Sequence, residues 1–253
     1  MEEEKNPIQV ADRLFQVMEM LAERGATGLV ELSKLLNLHK STVHRLLNSL
    51  IYMGYAVQEE ETGKYRLTYK IMELSNKMVE NNDVLELAHP IMQRLMEQAG
   101  ETVHFVQLDG AEVVYIDKVE SQMNTIRLVS RIGSRVPVYC SGVGKAIAAE
   151  MDEAHIRKIW NASEIKKWTE HTITELPVFL EECERIREAG YALDNEEHEI
   201  GVRCIAAAIP GKVGNARYAY SISGPLVRMT DERIEELKGY LLEAKGALCR
   251  ELL

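Results

Sequence analysis

From residue 40 to residue 53, Val43, Leu46, Leu47, Leu50 and Ile51 recur at i, i+3, i+4, i+7 and i+8, the spacing of a narrow buried stripe on a helix. Opposite the stripe stand Lys40, Ser41, Thr42, His44, Arg45, Asn48 and Ser49, with no acid among them. Such a helix must seat one side in a core. The other side presents amide, hydroxyl and guanidinium groups, the side chains that read base edges and hold phosphates. On a plain helical bundle the same face would be solvated surface, so its neighbours must decide. Upstream, Val10, Leu14, Val17, Met18 and Leu21 line one helical face that ends at Gly25. A shorter helix carries Leu29, Leu32, Leu35 and Leu36, and Asn37-Leu38 makes the break before the polar-faced helix. Downstream, Tyr55-Ala56-Val57-Gln58 and Lys64-Tyr65-Arg66-Leu67 flank the turn Glu61-Thr62-Gly63, a hairpin whose returning strand carries Lys64 and Arg66. Helix, helix, polar-faced helix and basic hairpin, in that order, predict a winged helix-turn-helix that binds double-stranded DNA. Its contact residues are then Lys40, Ser41, Thr42, His44, Arg45, Asn48, Lys64 and Arg66.

Charge restricts how such binding works. Thirty Lys+Arg against forty Asp+Glu give the chain a net charge of −10, which argues against sequence-blind attraction to nucleic acid. From Arg24 to Gln58, however, Arg24, Lys34, Lys40 and Arg45 face the single acid Glu31. Binding would therefore depend on that segment and its geometry. At 253 residues two domains are the better expectation. No apolar stretch approaches the roughly 20 residues of a membrane span, and the acidic start MEEEKNPIQV is not a secretory signal. A cytoplasmic protein without membrane contact is expected. Cys140, Cys183, Cys204 and Cys249 are scattered, the wrong spacing for a structural zinc site, and disulfides are not expected in a reducing compartment. No metal site or cofactor is expected.

Residues 1–68 form the predicted DNA-binding domain and 69–82 a linker helix. Residues 83–253 form an α+β sensor-type domain with an antiparallel sheet. Within the last, Thr102–Leu108 and Glu112–Val119 read as strands around Asp109-Gly110. Thr125–Ser130 and Arg135–Tyr139 read as two more, and Arg203–Ile209 and Arg217–Ser223 as a final pair. Gly142–Glu150, Glu153–Trp160, Pro177–Ala189 and a segment opening at Thr230 read as helices.

Three pieces of this domain carry chemistry. Ser141-Gly142-Val143-Gly144-Lys145 is a glycine-rich turn running into a helix, which exposes N–H groups to an anion. It is no nucleotide loop, because Tyr139 and Ala146 stand where GxxxxGK[ST] needs Gly and Ser or Thr. Tight packing explains such glycines equally well. The second piece runs from Asp194-Asn195-Glu196-Glu197 through Gly201 and Arg203 to Cys204. The third is Ser221-Ile222-Ser223-Gly224-Pro225, where strand alternation puts both serines on one face. If that face meets the glycine turn, hydroxyls, a thiol and N–H groups surround a small polar cavity. Such a cavity suits a hydroxylated carboxylate, with Asp194 accepting from ligand hydroxyls. Glu196, Glu197 and His198 read as a solvated loop.

Together these pieces resemble the IclR family of bacterial transcription regulators. The residues that carry the likeness are Lys40 to Leu47, Ser141 to Ala146, Gly190 to Glu197, Gly201 to Ala206 and Ser221 to Pro225. The resemblance implies a winged helix-turn-helix joined by a helix to a GAF-like effector-binding domain. It implies homodimers or dimers of dimers on palindromic operators, small organic acids as effectors, and no enzymatic activity. Effector contacts carried over by position fall on Val136, Gly142, Val143, Asp194, Val202, Cys204, Ser221 and Ser223. Glu101 to His104, Val114 to Val119, Ser130 to Arg135 and Glu170 to Thr174 are similar to the branch containing the 2-keto-3-deoxygluconate repressor. That branch implies a repressor of a sugar-acid catabolic operon with a hydroxylated 2-keto acid as effector. In the family, alanine or threonine is common where Gly142 stands.

Two other functions remain open on the sequence. Arg203 beside Cys204 would lower a thiol pKa, as a GAF-like thiol enzyme would require. Alternatively, the N-terminal bundle would be a protein-interaction module of a ligand sensor.

Overall fold

The helical periods of the first eighty residues fold as α1 (Gln9–Arg24), α2 (Leu29–Leu35) and α3 (Lys40–Tyr52), followed by β1 (Ala56–Gln58), β2 (Tyr65–Leu67) and α4 (Lys70–Glu80). This is a computed structural model that describes residues 6–80, 83–121, 128–211 and 216–253. They part into two units between residues 82 and 83.

In the first unit Val17, Leu21, Leu32, Val43, Leu46, Leu47 and Leu50 close a core with Ala56 and Tyr65. Burying each Leu contributes about 1.5–3 kcal/mol. The ends of the predicted stripes stand outside that core: Val10 is 63% exposed and Ile51 36%. The sharp turn between α2 and α3 is set by Asn37, whose φ of 51° is a left-handed conformation that Asn tolerates better than most residues. It is tied by Leu38 N–H donating to Ser33 O at 3.0 Å and Ser33 Oγ donating to Leu38 O at 2.6 Å. β1 and β2 pair antiparallel with Gln58 opposite Tyr65. On its other side Tyr65 exchanges two backbone hydrogen bonds of 2.9 Å with Thr27. Helix α4 buries no residue within this unit.

The second unit begins with α5 (Asp83–Ala99), β3 (Thr102–Asp109), β4 (Glu112–Val119) and β5 (Arg135–Pro137). A single 3₁₀ turn, Val138–Cys140, leads to α6 (Gly142–Ala149), α7 (Glu153–Ala162) and α8 (Leu176–Ala189). β6 (Ala192–Asn195), β7 (Val202–Ile209), β8 (Tyr218–Pro225) and α9 (Asp231–Leu252) complete it. Among the described residues the sheet runs β5-β4-β3-β8-β7-β6, antiparallel at every pairing. Alternation sorts its side chains into two cores. Phe105, Ile205, Ala207, Tyr220 and Ile222 pack under α5 and α9 with Leu95, Leu237 and Leu241. Val106, Ala206, Ala208 and Ala219 pack under α6 and α8 with Ile147 and Phe179. The small residues of this second set let α6 lie close to the sheet. Two strand expectations change. Leu128–Ser130 form no strand, and Thr125 to Arg127 lie outside the described residues. Arg135–Tyr139 is strand only to Pro137 and then winds into the 3₁₀ turn. β6 is an additional strand that the sequence pattern does not announce. No helix among the described residues is long and apolar enough to cross a membrane.

The pairing of β3 with β4 shifts register between Phe105 and Val106. Val106 faces Tyr115, but Phe105 faces Asp117 and His104 faces Lys118. The extra residue in β4 is a β-bulge that re-aims side chains, placing Lys118 opposite His104 where an unbroken register would place Asp117.

Candidate functional site

On α3, Lys40, Ser41, His44, Arg45, Asn48 and Ser49 are exposed and Thr42 is half-buried, so the buried stripe turns the acid-free side of the helix outward. His44 Nδ1 and Asn48 Nδ2 lie 3.4 Å apart, one helical turn from each other. Arg66 is exposed on β2, and Lys64, expected on the same strand, is exposed one residue before it begins. The hairpin is less uniformly basic than its returning strand implied, because Glu59, Glu60 and Glu61 lead into its turn. Arg66 Nε is 3.4 Å from the Glu59 carboxylate.

The second unit holds a small cavity over the face of the sheet that packs α6. Its walls are His104 on β3, Tyr115 on β4, Val136 on β5, Asp194 on β6, Val202 and Cys204 on β7, and Ser223 on β8. Ser141 at the mouth of α6, the segment Leu128–Ser130, and His198 and Glu199 complete it. Its volume is about 60 Å³, room for about four waters. Pairing aligns the polar groups in rows: Asp194 faces Cys204, Cys204 faces Ser223, and His104 faces Ser221. His104 Nε2 is 2.7 Å from Ser130 Oγ, and its Nδ1 is 3.3 Å from Ser223 Oγ. Burial, then the Lys118 ammonium, lowers His104 to about 3. It is a neutral ring that bridges serines.

Of the eight positions carried over as effector contacts, Val136, Asp194, Val202, Cys204 and Ser223 line the cavity. Ser221 sits beside them, its Oγ 3.0 Å from Ser223 Oγ. Gly142 is buried behind Asp194, where a Cβ would meet Asp194 Cβ and Ala206 Cβ at 3.4 Å. Val143 is buried in the core beneath α6. His104, Tyr115, Ser130, Ser141 and His198 also line the cavity. Ser141 belongs to the glycine turn, and His104, Tyr115 and Ser130 lie in segments that carry the narrower resemblance, whereas His198, expected in a solvated loop, is half-buried against the cavity.

The glycine turn differs from an open anion cradle. Ser141 caps α6 by accepting from Gly144 N–H at 3.2 Å. Lys145 is 1% exposed and spends its charge on Glu182 Oε1 at 3.2 Å and on Glu197. Burial works against the ammonium, but Glu197 and then Glu182 outweigh it and hold Lys145 above its ordinary value. Glu197 is thus buried rather than solvated, and its Oε2 has no hydrogen-bond partner among the described residues. Its backbone N–H donates to Asp194 Oδ1 at 2.8 Å. Burial, and next the Glu197 carboxylate, push Asp194 up to about 7. Cys204 is pushed well above an ordinary thiol by burial and then by Asp194, the opposite of an activated nucleophile. Among the described residues no group of three His, Cys, Asp or Glu side chains converges as a metal site.

The chain matches two family descriptions: IclR helix-turn-helix domain over residues 10–60, and bacterial transcriptional regulator IclR C-terminal over residues 76–250. It is 37% identical over 251 residues to the HTH-type transcriptional regulator KdgR of Escherichia coli, covering 98% of this chain and 95% of that one. The crystal structure of the Thermotoga maritima IclR superposes with a TM-score of 0.82 at 32% identity, over 96% of this chain and 98% of that one. An IclR homologue of Microbacterium hydrocarbonoxydans, solved with 4-hydroxybenzoate, shares the fold with a TM-score of 0.81 at 21% identity, over 96% and 99% of the two chains. These relatives are regulators and not enzymes, and a family match over so much of the chain settles its class: the protein belongs to the IclR family and is a DNA-binding transcriptional regulator.

Proposed function

We propose that the protein is a cytoplasmic repressor of a sugar-acid catabolic operon and is released from its operator by a small carboxylate such as 2-keto-3-deoxygluconate. The observation that carries this reading is the cavity itself. It brings hydroxyls of Ser130, Ser141, Ser223 and Tyr115 around the Asp194 carboxyl, a lining suited to a ligand with several hydroxyls. The related KdgR regulator supports repression, and the 4-hydroxybenzoate complex supports an acid in this fold. At about 60 Å³ the cavity takes a two- or three-carbon head directly, and a six-carbon acid displaces part of the wall. No cofactor takes part.

In this reading α3 lies in the major groove, with Lys40, Ser41, Thr42, His44, Arg45 and Asn48 against the duplex and Lys64 and Arg66 on its backbone. A homodimer, or a dimer of dimers, reads a palindrome, since one such helix is weak alone. The open side of α4, with Met72 57% and Met78 70% exposed, supports self-association. Effector binding then favours a dimer geometry whose two helices no longer match the half-site spacing, a coupling of typically 1–3 kcal/mol. Gel-shift titration on operator DNA, with and without 2-keto-3-deoxygluconate, tests the reading. Release of a palindrome by that acid is the expected result, and an acid that binds without weakening the DNA complex would sink it. In a thermal-shift screen of 2-keto and sugar acids, the effector at 100 times its dissociation constant adds about 2.7 kcal/mol of stability.

A further inference from the structure

A carboxylate entering this cavity meets an electrostatic problem. No Lys or Arg is among the described residues that line it, whereas Asp194 and Glu199 are. Behind Asp194, Glu197 and Glu182 share the buried cation Lys145, with Arg185 bonded to Glu182 on the exposed side of α8. The other described groups facing Asp194 bring no positive charge. Cys204 on β7, Cys140 in the 3₁₀ turn and Tyr115 on β4 are all held in their neutral forms by burial. Burial lowers His198 in the adjoining loop, and His104 across the cavity is neutral. Lys118, opposite His104, is engaged by Leu128 O, Ser130 O and the Glu120 carboxylate. Three carboxylates around one buried ammonium leave an excess negative charge in a desolvated site, and such a site neutralises one of them. Asp194 is the member that faces the ligand space and, among the described residues, has no cation bonded to it.

We propose that the cavity takes its acid together with a proton: the effector enters as a hydroxylated monocarboxylate, and Asp194 receives it as a neutral acid whose O–H donates to the incoming oxygen. The proton comes from solvent and stays on Asp194, so the bound site has one more proton and one more anion than the free, ionised site. This rests on the acid-effector reading and changes the role of Asp194 from acceptor of ligand hydroxyls to donor. The effector's own carboxyl is ionised throughout, so Asp194 alone sets the linkage. With Asp194 at about 7, affinity is flat at lower pH, where the proton is already present. It weakens about tenfold per unit once pH rises past that value.

The test is isothermal titration of the full-length protein with 2-keto-3-deoxygluconate and with pyruvate, from about pH 5.5 to 8.5, in two buffers of different ionisation enthalpy. The expected result is proton uptake that climbs toward one per site above neutrality, matched by that loss of affinity. In Asp194→Asn the uptake and the pH slope vanish. Binding with a flat pH profile and no uptake overturns the proposal while leaving the acid-effector reading intact. Failure of both acids at every pH overturns both. A ligand-free arm separates them further: in carboxyl-¹³C NMR of the Asp-labelled chain, the Asp194 signal titrates near neutrality. Titration near 4, the ordinary Asp value, overturns the proposal whatever binds. Should Asp194→Asn not fold, uptake by the unmodified protein decides the matter.

Discussion

Lys118 Nζ lies 2.7 Å from the carbonyl oxygen of Ser130 and 3.1 Å from that of Leu128. One side chain, aimed by the β4 bulge, thereby pins a wall of the cavity. Replacing it with Met removes both charged hydrogen bonds, each worth about 1.5–3 kcal/mol. In Lys118→Met, trypsin cleaves after Arg131 about tenfold faster than in the unmodified protein, as followed by mass spectrometry. An unchanged rate would mean that other contacts hold the wall.

His104 gives the protein an acid limb. Its folded value of about 3 lies below the ordinary 6.5, so under acid conditions the unfolded chain takes a proton that the native ring refuses. Stability is intact above pH 6.5 and falls by about 1.4 kcal/mol per unit as pH drops from there toward 3. His104→Gln, which keeps a polar side chain between the serines, shortens this limb. Urea unfolding at about pH 6 and pH 4 measures it, and equal slopes in the two proteins would assign the acid sensitivity elsewhere.

Arg45 and Lys64 separate two kinds of contact on DNA. Arg45, exposed in the middle of α3, faces base edges in the proposed docking. Arg45→Ala weakens specific operator binding by about 1–3 kcal/mol at fixed salt. Lys64, just before the wing strand, meets phosphate in the same proposed docking, so Lys64→Ala weakens all sequences alike and lowers the salt slope by about 1. Gel-shift titrations at several salt concentrations distinguish the two patterns, and the reverse assignment would refute this docking.

The two glycines of the turn into α6 differ in what they permit. At Gly144 a Cβ would fall 2.5 Å from both Cα and O of Val138, backbone that cannot step aside. Gly144→Ala therefore destabilises by about 3 kcal/mol or more through overpacking. At Gly142 the nearest atoms to a Cβ lie at 3.4 Å, and Gly142→Ala keeps the fold. It presses on Asp194, so its effect appears in effector affinity. Thermal unfolding of the pair checks the contrast, and similar losses of Tm for both would contradict it.

The DNA-reading unit was legible because its signals are local. The stripe from Val43 to Leu50, the turn at Asn37 and the hairpin each lie within a few residues, and α3 emerges over Lys40–Tyr52 close to its expected span. The cavity was legible only in part. Alternation placed Ser221 and Ser223 together, but His104 reaches them across 117 and 119 residues of chain, a relation that only the strand order β3-β8 creates. Lys145 meets Glu182 and Glu197 at separations of 37 and 52, so its local setting after two glycines suggested an anion turn where the fold makes a buried ion cluster. β6 escaped notice because Ala192-Leu193-Asp194-Asn195 is short and ends in residues that strands disfavour. The bulge that turns Lys118 inward has no mark in composition at all.

Strand β2 is held along both flanks: against β1 within the hairpin, where Glu59 N–H donates to Lys64 O at 2.8 Å, and through Tyr65 to Thr27 in the loop ahead of α2. The wing's base is thereby tied to the framework that carries α3, and Ala56 and Tyr65 share the core of that helix, so helix and wing make one jaw. An effector of the kind proposed, bound in the second unit, then has no loose joint between helix and wing to act on. In the proposed dimer, what it alters is how two jaws are set against each other, and control of transcription becomes a matter of spacing.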